Sequence, residues 1–173
     1  GVLEKKQSER DIIYMQEALA LAQAAFDMNE VPIGAIVVNA NGVVIGRGYN
    51  QVEGRKSQCA HAEMTAIMQA STTKGDWRLD DCSLYVTLEP CSMCYSLIRL
   101  SRIQSLIFGA SSPRFGYQLD NVATSSVYKN DVRVVSSVCA AQAEHLLKRF
   151  FQMQRIKKGE HKSGSQEDQS ESY

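Results

Sequence analysis

Two short stretches of this 173-residue chain carry residue types that could do chemistry. One is Cys59-Ala60-His61-Ala62-Glu63; the other is Leu88-Glu89-Pro90-Cys91-Ser92-Met93-Cys94. Zinc takes compact ligands at about 2.0–2.3 Å, and a Cys-x-x-Cys turn delivers two sulfurs to one ion. At the start of a helix those sulfurs also meet free N–H groups and the helix dipole, which favour thiolate over thiol. Read alone, Cys91 and Cys94 fit a redox dithiol equally. No second Cys-x-x-Cys completes a four-sulfur structural site, so further ligands must come from elsewhere. His61 is the obvious candidate, because His145 and His161 stand near the C-terminus. One His and two Cys leave a tetrahedral zinc with an open position, the mark of a catalytic site. Such a site also needs a base that does not bind metal, and Glu63 suits that role. Residues two apart do not share a helix face, so His61 and Glu63 can cooperate only in a first turn.

Other residues near these stretches have plainer readings. Cys59, Cys82 and Cys139 are expected as small buried apolar residues, with Cys59 an alternative metal ligand. Glu89 reads equally as a partner of the metal ligands or as a carboxylate favoured at a helix N-terminus. Asn50 by itself reads as a turn former closing a strand.

The elements that position these residues follow from periodicity. Ile12, Met15, Leu19, Ala22 and Phe26 step by three and four, which predicts a helix over 8–28, closed in polar residues up to Glu30. Pro32 then leads into a β-branched strand over 33–38, a turn at 39–42 and a second strand over 43–49. A polar loop spans 51–58, a helix 60–70, and a loop carrying Trp77 spans 72–81. Strands are predicted over 83–88, 103–109 and 132–135, with helices over 91–100 and 140–158 and an irregular stretch over 110–131. Ala143, Leu146, Leu147, Phe150 and Phe151 form the inner face of the last helix. The order predicts an α/β fold, a three-layer sandwich whose central mixed five-stranded sheet has helices on both faces. Residues 1–158 form one domain, and the Gly/Ser/Gln/Glu-rich stretch 159–173 is expected to be disordered.

His-x-Glu followed by Pro-Cys-x-x-Cys is the joint signature of zinc nucleobase deaminases. Around it, Val31-Pro32-Ile33-Gly34-Ala35, Gly48-Tyr49-Asn50, His61-Ala62-Glu63-Met64, Tyr85–Cys94 and Phe108-Gly109-Ala110 extend the likeness. On these blocks, residues 10–155 closely resemble the bacterial tRNA-specific adenosine deaminases, which convert the wobble adenosine of an anticodon to inosine. The resemblance implies a cytidine-deaminase-like fold, a homodimer, one Zn2+ per subunit and a tRNA anticodon loop as substrate. It assigns His61, Cys91 and Cys94 to the metal, Glu63 to proton transfer and Asn50 to a hydrogen bond with the base. The Ala62 backbone N–H, beside the metal, could hold developing charge or the base edge. The same core motif also serves deaminases of a free base or nucleotide. A zinc-containing RNA-binding subunit without activity is a further alternative, against which Glu63 speaks. The run Ser111-Ser112-Pro113-Arg114-Phe115-Gly116 departs from the bacterial pattern and looks more like the Arg-Phe-Gly of eukaryotic catalytic subunits. Phe115 is the best stacking candidate for an unpaired base, ahead of Tyr49, Tyr117 and Phe151.

Composition sets the remaining bounds. No apolar run approaches the ~18 residues of a membrane span, and the odd set of five cysteines suits thiols in a reducing compartment. The expectation is a cytoplasmic protein with no membrane partner. The formal net charge is zero, which by itself would disfavour nucleic acid. Residues 159–173 nevertheless carry a net −3, leaving +3 on residues 1–158. The clearest cationic run is Lys148, Arg149, Arg155, Lys157 and Lys158 on the last helix, where Lys157 and Lys158 are candidate RNA-backbone contacts.

Overall fold

The computed structural model describes residues 2–120 and 131–161, with side chains described over 9–120 and 131–159. Helix α1 (Val2–Asp27) leads into a hairpin of β1 (Gly34–Val38) and β2 (Val44–Tyr49). A single helical turn, α2 (Val52–Arg55), and helix α3 (Ala62–Lys74) follow, then β3 (Ser83–Leu88), α4 (Ser92–Leu100) and β4 (Ser105–Ala110). A 3-10 turn at Tyr117–Leu119, strand β5 (Arg133–Val135) and helix α5 (Ala140–His161) complete the described chain.

The five strands lie in the order β2-β1-β3-β4-β5. Strand β1 is antiparallel to both β2 and β3, whereas β3, β4 and β5 run parallel. The sheet is mixed, as expected. Side chains alternate across it as strand geometry requires. Ala35, Val37, Leu84, Val86, Leu106 and Phe108 join the core that includes Ala66 and Ile67 of α3 and Tyr95 and Ile98 of α4. Ile36, Val38, Tyr85 and Ile107 face Met15 and Ala18 of α1 instead. Helix α5 adds Ala143 and Leu147 against Leu88 and Ala110, with Phe151 half-buried beside them. Two helices on each face give the three-layer sandwich.

Three local expectations need correction. Ile12 is 44% exposed, and the buried face of α1 is Met15, Ala18, Ala22 and Ala25. The reason is close approach: a Cβ on Gly34 would lie 2.0 Å from the Ala18 carbonyl oxygen, so small residues line this contact. The stretch 51–58 is not all loop, because α2 forms within it. Helix α5 runs to His161, past the expected domain end at 158 and into the segment expected to be disordered. Residues 162–173 of that segment, and 121–130 of the irregular stretch, lie outside the described residues.

Candidate active site

The two chemistry-bearing stretches are the N-terminal ends of α3 and α4. His61 is the N-cap of α3 and Cys91 the N-cap of α4, both with extended backbone, and neither side chain caps its helix. An N-cap is ordinarily Ser, Thr, Asp or Asn, whose oxygen binds the first free N–H groups. Here the capping positions point their side chains at each other instead. Cys94 follows in the first turn of α4, and Glu63 falls in the first turn of α3, which meets the geometric requirement for the His-x-Glu pair.

Helix α3 can deliver these groups because β2 carries glycines beneath it. A Cβ on Gly48 would stand 2.3 Å from the Ala62 carbonyl oxygen, and one on Gly46 would stand 2.1 Å from that of Ala66. The cysteines come from the segment following β3, at the carboxyl end of the parallel strands, where open α/β sheets generally bind ligands.

His61 Nδ1 lies 3.8 Å from Cys91 Sγ and 3.4 Å from Cys94 Sγ. The three ligand atoms all fall within 4.8 Å of one another. A tetrahedral zinc with Zn–N near 2.05 Å and Zn–S near 2.3 Å would separate N from S by about 3.6 Å. The observed spacings bracket that value, so the donor set fits the ion. His61 Nε2 is 3.1 Å from Gln58 Oε1. An amide oxygen can only accept, so Nε2 carries a proton, and Nδ1, which faces the sulfurs, offers its lone pair to a metal once it is deprotonated.

Charge is already redistributed among these groups. Hydrogen bonding from the Cys94 thiol, and next from His61, pulls Cys91 down to about 4. Cys94 moves the opposite way, raised by its bond to Cys91 and by burial. A dication bound by both sulfurs would displace their protons. The Cys91 sulfur also raises the His61 imidazole. Glu63 is 4% exposed, and burial lifts its carboxyl above the ordinary range, which suits a group that both takes and returns protons.

A cleft of about 290 Å3 opens over this cluster. His61, Ala62, Glu63 and Cys91 line it, and Asn50 and Phe115 stand on its walls. Asn50 is buried just beyond β2, its amide donating to the Val31 carbonyl and its Oδ1 accepting from the Val52 N–H, both at 3.4 Å. Ala62 is the first residue of α3, so its N–H has no acceptor within the helix. Phe115 is 56% exposed. Lys157 lies outside the cleft, its ammonium 3.2 Å from Asn29 Oδ1, immediately before the cleft-lining Glu30. Lys158 is exposed on the same helix.

Several residues depart from expectation. Tyr117 is buried and stacked on Tyr95 with centroids 3.8 Å apart, so it cannot receive a base. Phe151 packs beside the α5 core, as its place on the inner face of that helix predicts, and not in the cleft. Cys59 is exposed, not buried, and stands outside the ligand cluster; only Cys82 is fully buried of the three expected so. Two buried carboxylates also matter more than the sequence signalled. Glu30 accepts from the Gly54 N–H at 2.6 Å and the Glu53 N–H at 3.2 Å, fixing α2 beside the cleft. It stands in a polar helix-closing run, and nothing local distinguishes it from a solvated acid. Glu89 accepts from the Ser112 and Gln118 N–H groups across the sheet end.

This sheet, with a metal-competent His-Cys-Cys cluster and a buried acid at its carboxyl edge, defines a class. Residues 8–110 match the cytidine and deoxycytidylate deaminase zinc-binding region, and the chain belongs to that family. Within it, the chain is 40% identical over 151 residues to the tRNA-specific adenosine deaminase of Bacillus subtilis (strain 168), covering 86% of this chain and 93% of that protein. A solved structure from studies of A-to-I editing by tRNA:A34 deaminases at the wobble position of transfer RNA is similar at TM-score 0.73 and 35% identity. That likeness covers 78% of this chain and 98% of the other. A guanine deaminase from Bacillus subtilis is similar at TM-score 0.56 and 26% identity, over 90% of this chain and 96% of the other.

Proposed function

We propose that this protein deaminates adenosine to inosine at the wobble position of a tRNA anticodon, hydrolytically and with one zinc per subunit. The observation that carries it is a His61–Cys91–Cys94 cluster beside a buried Glu63, at the floor of a cleft open enough for a base. Similarity to tRNA-specific adenosine deaminases over nearly their whole length supplies the substrate class.

His61, Cys91 and Cys94 would hold the ion, which when bound supplies a Lewis acid that activates water for attack on C6 of adenine. Glu63 takes one proton of the attacking water and delivers it to N1, then moves the remaining hydroxyl proton to the amino group, so that the C6–N bond breaks, ammonia departs and the C6 carbonyl forms. Asn50 offers its amide to the base, and the Ala62 N–H faces the same edge. Phe115 gives an aromatic surface on which a neighbouring unpaired base stacks, worth about 1–3 kcal/mol. Lys157 and Lys158 contact the RNA backbone; their helix reaches the cleft rim through Asn29, which supports that reading. Because an anticodon loop is already single-stranded in part, extruding its adenosine costs less than opening a duplex.

We further infer a homodimer and a cytoplasmic setting. Exposed Met68 on α3 and exposed Met93 and Leu100 on α4 belong to two neighbouring helices and offer an apolar face for a second copy. Thiol ligands and a tRNA substrate both suit a reducing compartment. No helix among the described residues is long and apolar enough to cross a membrane. The catalytic unit runs to the end of α5 at His161, and the net −3 of residues 159–173 offsets the net +3 of residues 1–158.

The test is incubation with an anticodon stem-loop bearing a wobble adenosine, assayed for inosine, alongside free adenosine, cytidine and guanine. Inosine in the stem-loop is expected, with release of zinc by a chelator abolishing it. Preferential turnover of guanine would replace this reading with the free-base one, which the fold likeness to a guanine deaminase keeps in view.

A further inference from the structure

We propose that Glu89 is a positioning residue that sets the RNA-reading wall of the cleft, a role that rests on Phe115 being a stacking platform for the substrate. Glu89 is 5% exposed and sits two residues before Cys91. Its two oxygens accept from opposite ends of one turn: Oε1 from the Ser112 N–H at 3.0 Å and Oε2 from the Gln118 N–H at 3.2 Å. Between those ends, Gly116 passes directly in front of the carboxylate. A Cβ there would fall 2.3 Å from Oε2, 2.4 Å from Cδ and 2.5 Å from Oε1. The chain from 112 to 118 is therefore wrapped around a buried anion.

The wrap has further pins. The Gly116 N–H donates to the Ser112 carbonyl at 3.1 Å, the Tyr117 N–H donates to the Pro90 carbonyl at 2.9 Å, and the Tyr117 ring stacks on Tyr95. The Phe115 N–H meets Ser112 Oγ at 3.3 Å. Every one of these contacts holds backbone or an anchoring ring, and Phe115 alone of the turn's aromatic groups faces the cleft with an exposed ring. A stacking platform binds better when its backbone is fixed beforehand, because less ordering entropy is then lost on binding. Glu89 does that fixing from the same segment that presents Cys91 and Cys94. Both its oxygens accept from the turn, a role that neither reading of its position in the sequence anticipates.

Glu89→Gln keeps the volume but replaces one acceptor by an amide that faces an N–H donor. Gly116→Ala approaches the same contact from the other side, by placing a methyl group where the carboxylate stands. The experiment measures kcat and KM on the wobble-adenosine stem-loop for the parent, both variants, Phe115→Ala and the Glu89→Gln/Phe115→Ala double variant, with zinc content determined for each. Phe115→Ala is expected to raise KM about 5- to 150-fold. Glu89→Gln and Gly116→Ala are expected to raise KM about 3- to 10-fold while zinc stays near one per chain and kcat changes far less. The double variant is expected to match Phe115→Ala alone, since Glu89 acts through that ring. Unchanged KM in both Glu89→Gln and Gly116→Ala, beside a clear Phe115→Ala effect, overturns the proposal and leaves the Phe115 reading standing. Additive effects in the double variant overturn it too, as does loss of zinc or of the folded state in both single variants. No effect of Phe115→Ala on a stem-loop that the parent deaminates removes the Phe115 reading itself.

Discussion

At the scale of single residues, the proposed mechanism depends on a division between groups placed to hold a metal and one that is not. Glu63 is buried beside the ligands, yet its carboxylate is not one of the three atoms in the cluster. Glu63→Gln is therefore expected to retain about one zinc per chain while deamination falls by roughly 10²–10⁴-fold, the usual contribution of a positioned acid–base. Metal analysis and an inosine assay on the same preparation check it, and an active variant would remove Glu63 from the mechanism. Cys91→Ala acts on the other side of that division. It removes the cluster's thiolate, so zinc should be lost with the activity, and thermal unfolding should no longer respond to added zinc. These roles are legible from residue type and order alone. That of Gln58 is not, because its contribution depends on an amide oxygen reaching His61 Nε2 from a loop whose path the sequence does not specify.

The elements matter through how closely they approach. Helix α3 lies on β2 across Gly46 and Gly48, and that contact sets where His61, Ala62 and Glu63 stand. Gly48→Ala is expected to cost about 1–3 kcal/mol by overpacking, since the new methyl meets the Ala62 carbonyl, which is backbone and cannot swing aside. Urea unfolding gives the stability change, and the same variant should bind zinc more weakly because the displaced carbonyl belongs to the turn carrying His61. Unaltered zinc affinity in a destabilised variant would show that α3 can shift without moving its ligand. Strand and helix types are legible over most of the chain because β-branched runs and three-four spacing are local signals. Helix α2 is not, for a complementary reason: four residues, Val52–Arg55, make a single turn too short for periodicity, held by the distant Glu30 carboxylate. Of the α1 stripe predicted from Ile12 to Phe26, Met15 and Ala22 are buried and Ile12 alone is exposed; Ala18 and Ala25, which carry no strong hydropathy signal, complete the buried face.

For the whole molecule, a net charge of zero conceals a separation of charge along the chain. Residues 159–173 carry a net −3 and residues 1–158 a net +3, while α5 brings Lys157 to Asn29, next to the cleft-lining Glu30. Lys157→Gln with Lys158→Gln is expected to weaken stem-loop binding and lower the slope of log K against log salt by about 0.7 for each phosphate no longer neutralised. Binding titrations between low and moderate salt measure that slope. A slope that stays the same would move the RNA surface away from this helix.

The chain's sequence by itself determined the chemistry on offer: a His-x-Glu, a Cys-x-x-Cys and the helices that begin at them, because ligand type and helix initiation are short-range properties. It also determined the layered α/β arrangement, which follows from the order of apolar periods. Only the tertiary structure decided which groups meet. It brings two helix N-termini together across the sheet edge, with His61 Nδ1 and two sulfurs within 4.8 Å. It turns Tyr117 inward onto Tyr95 and leaves Phe115 on the cleft wall. It wraps residues 112–118 around Glu89, a contact between segments 23 to 29 positions apart. Buried carboxylates of this kind gain meaning from backbone N–H groups far along the chain, and pairings at that distance are set by the packed whole and not by local spacing.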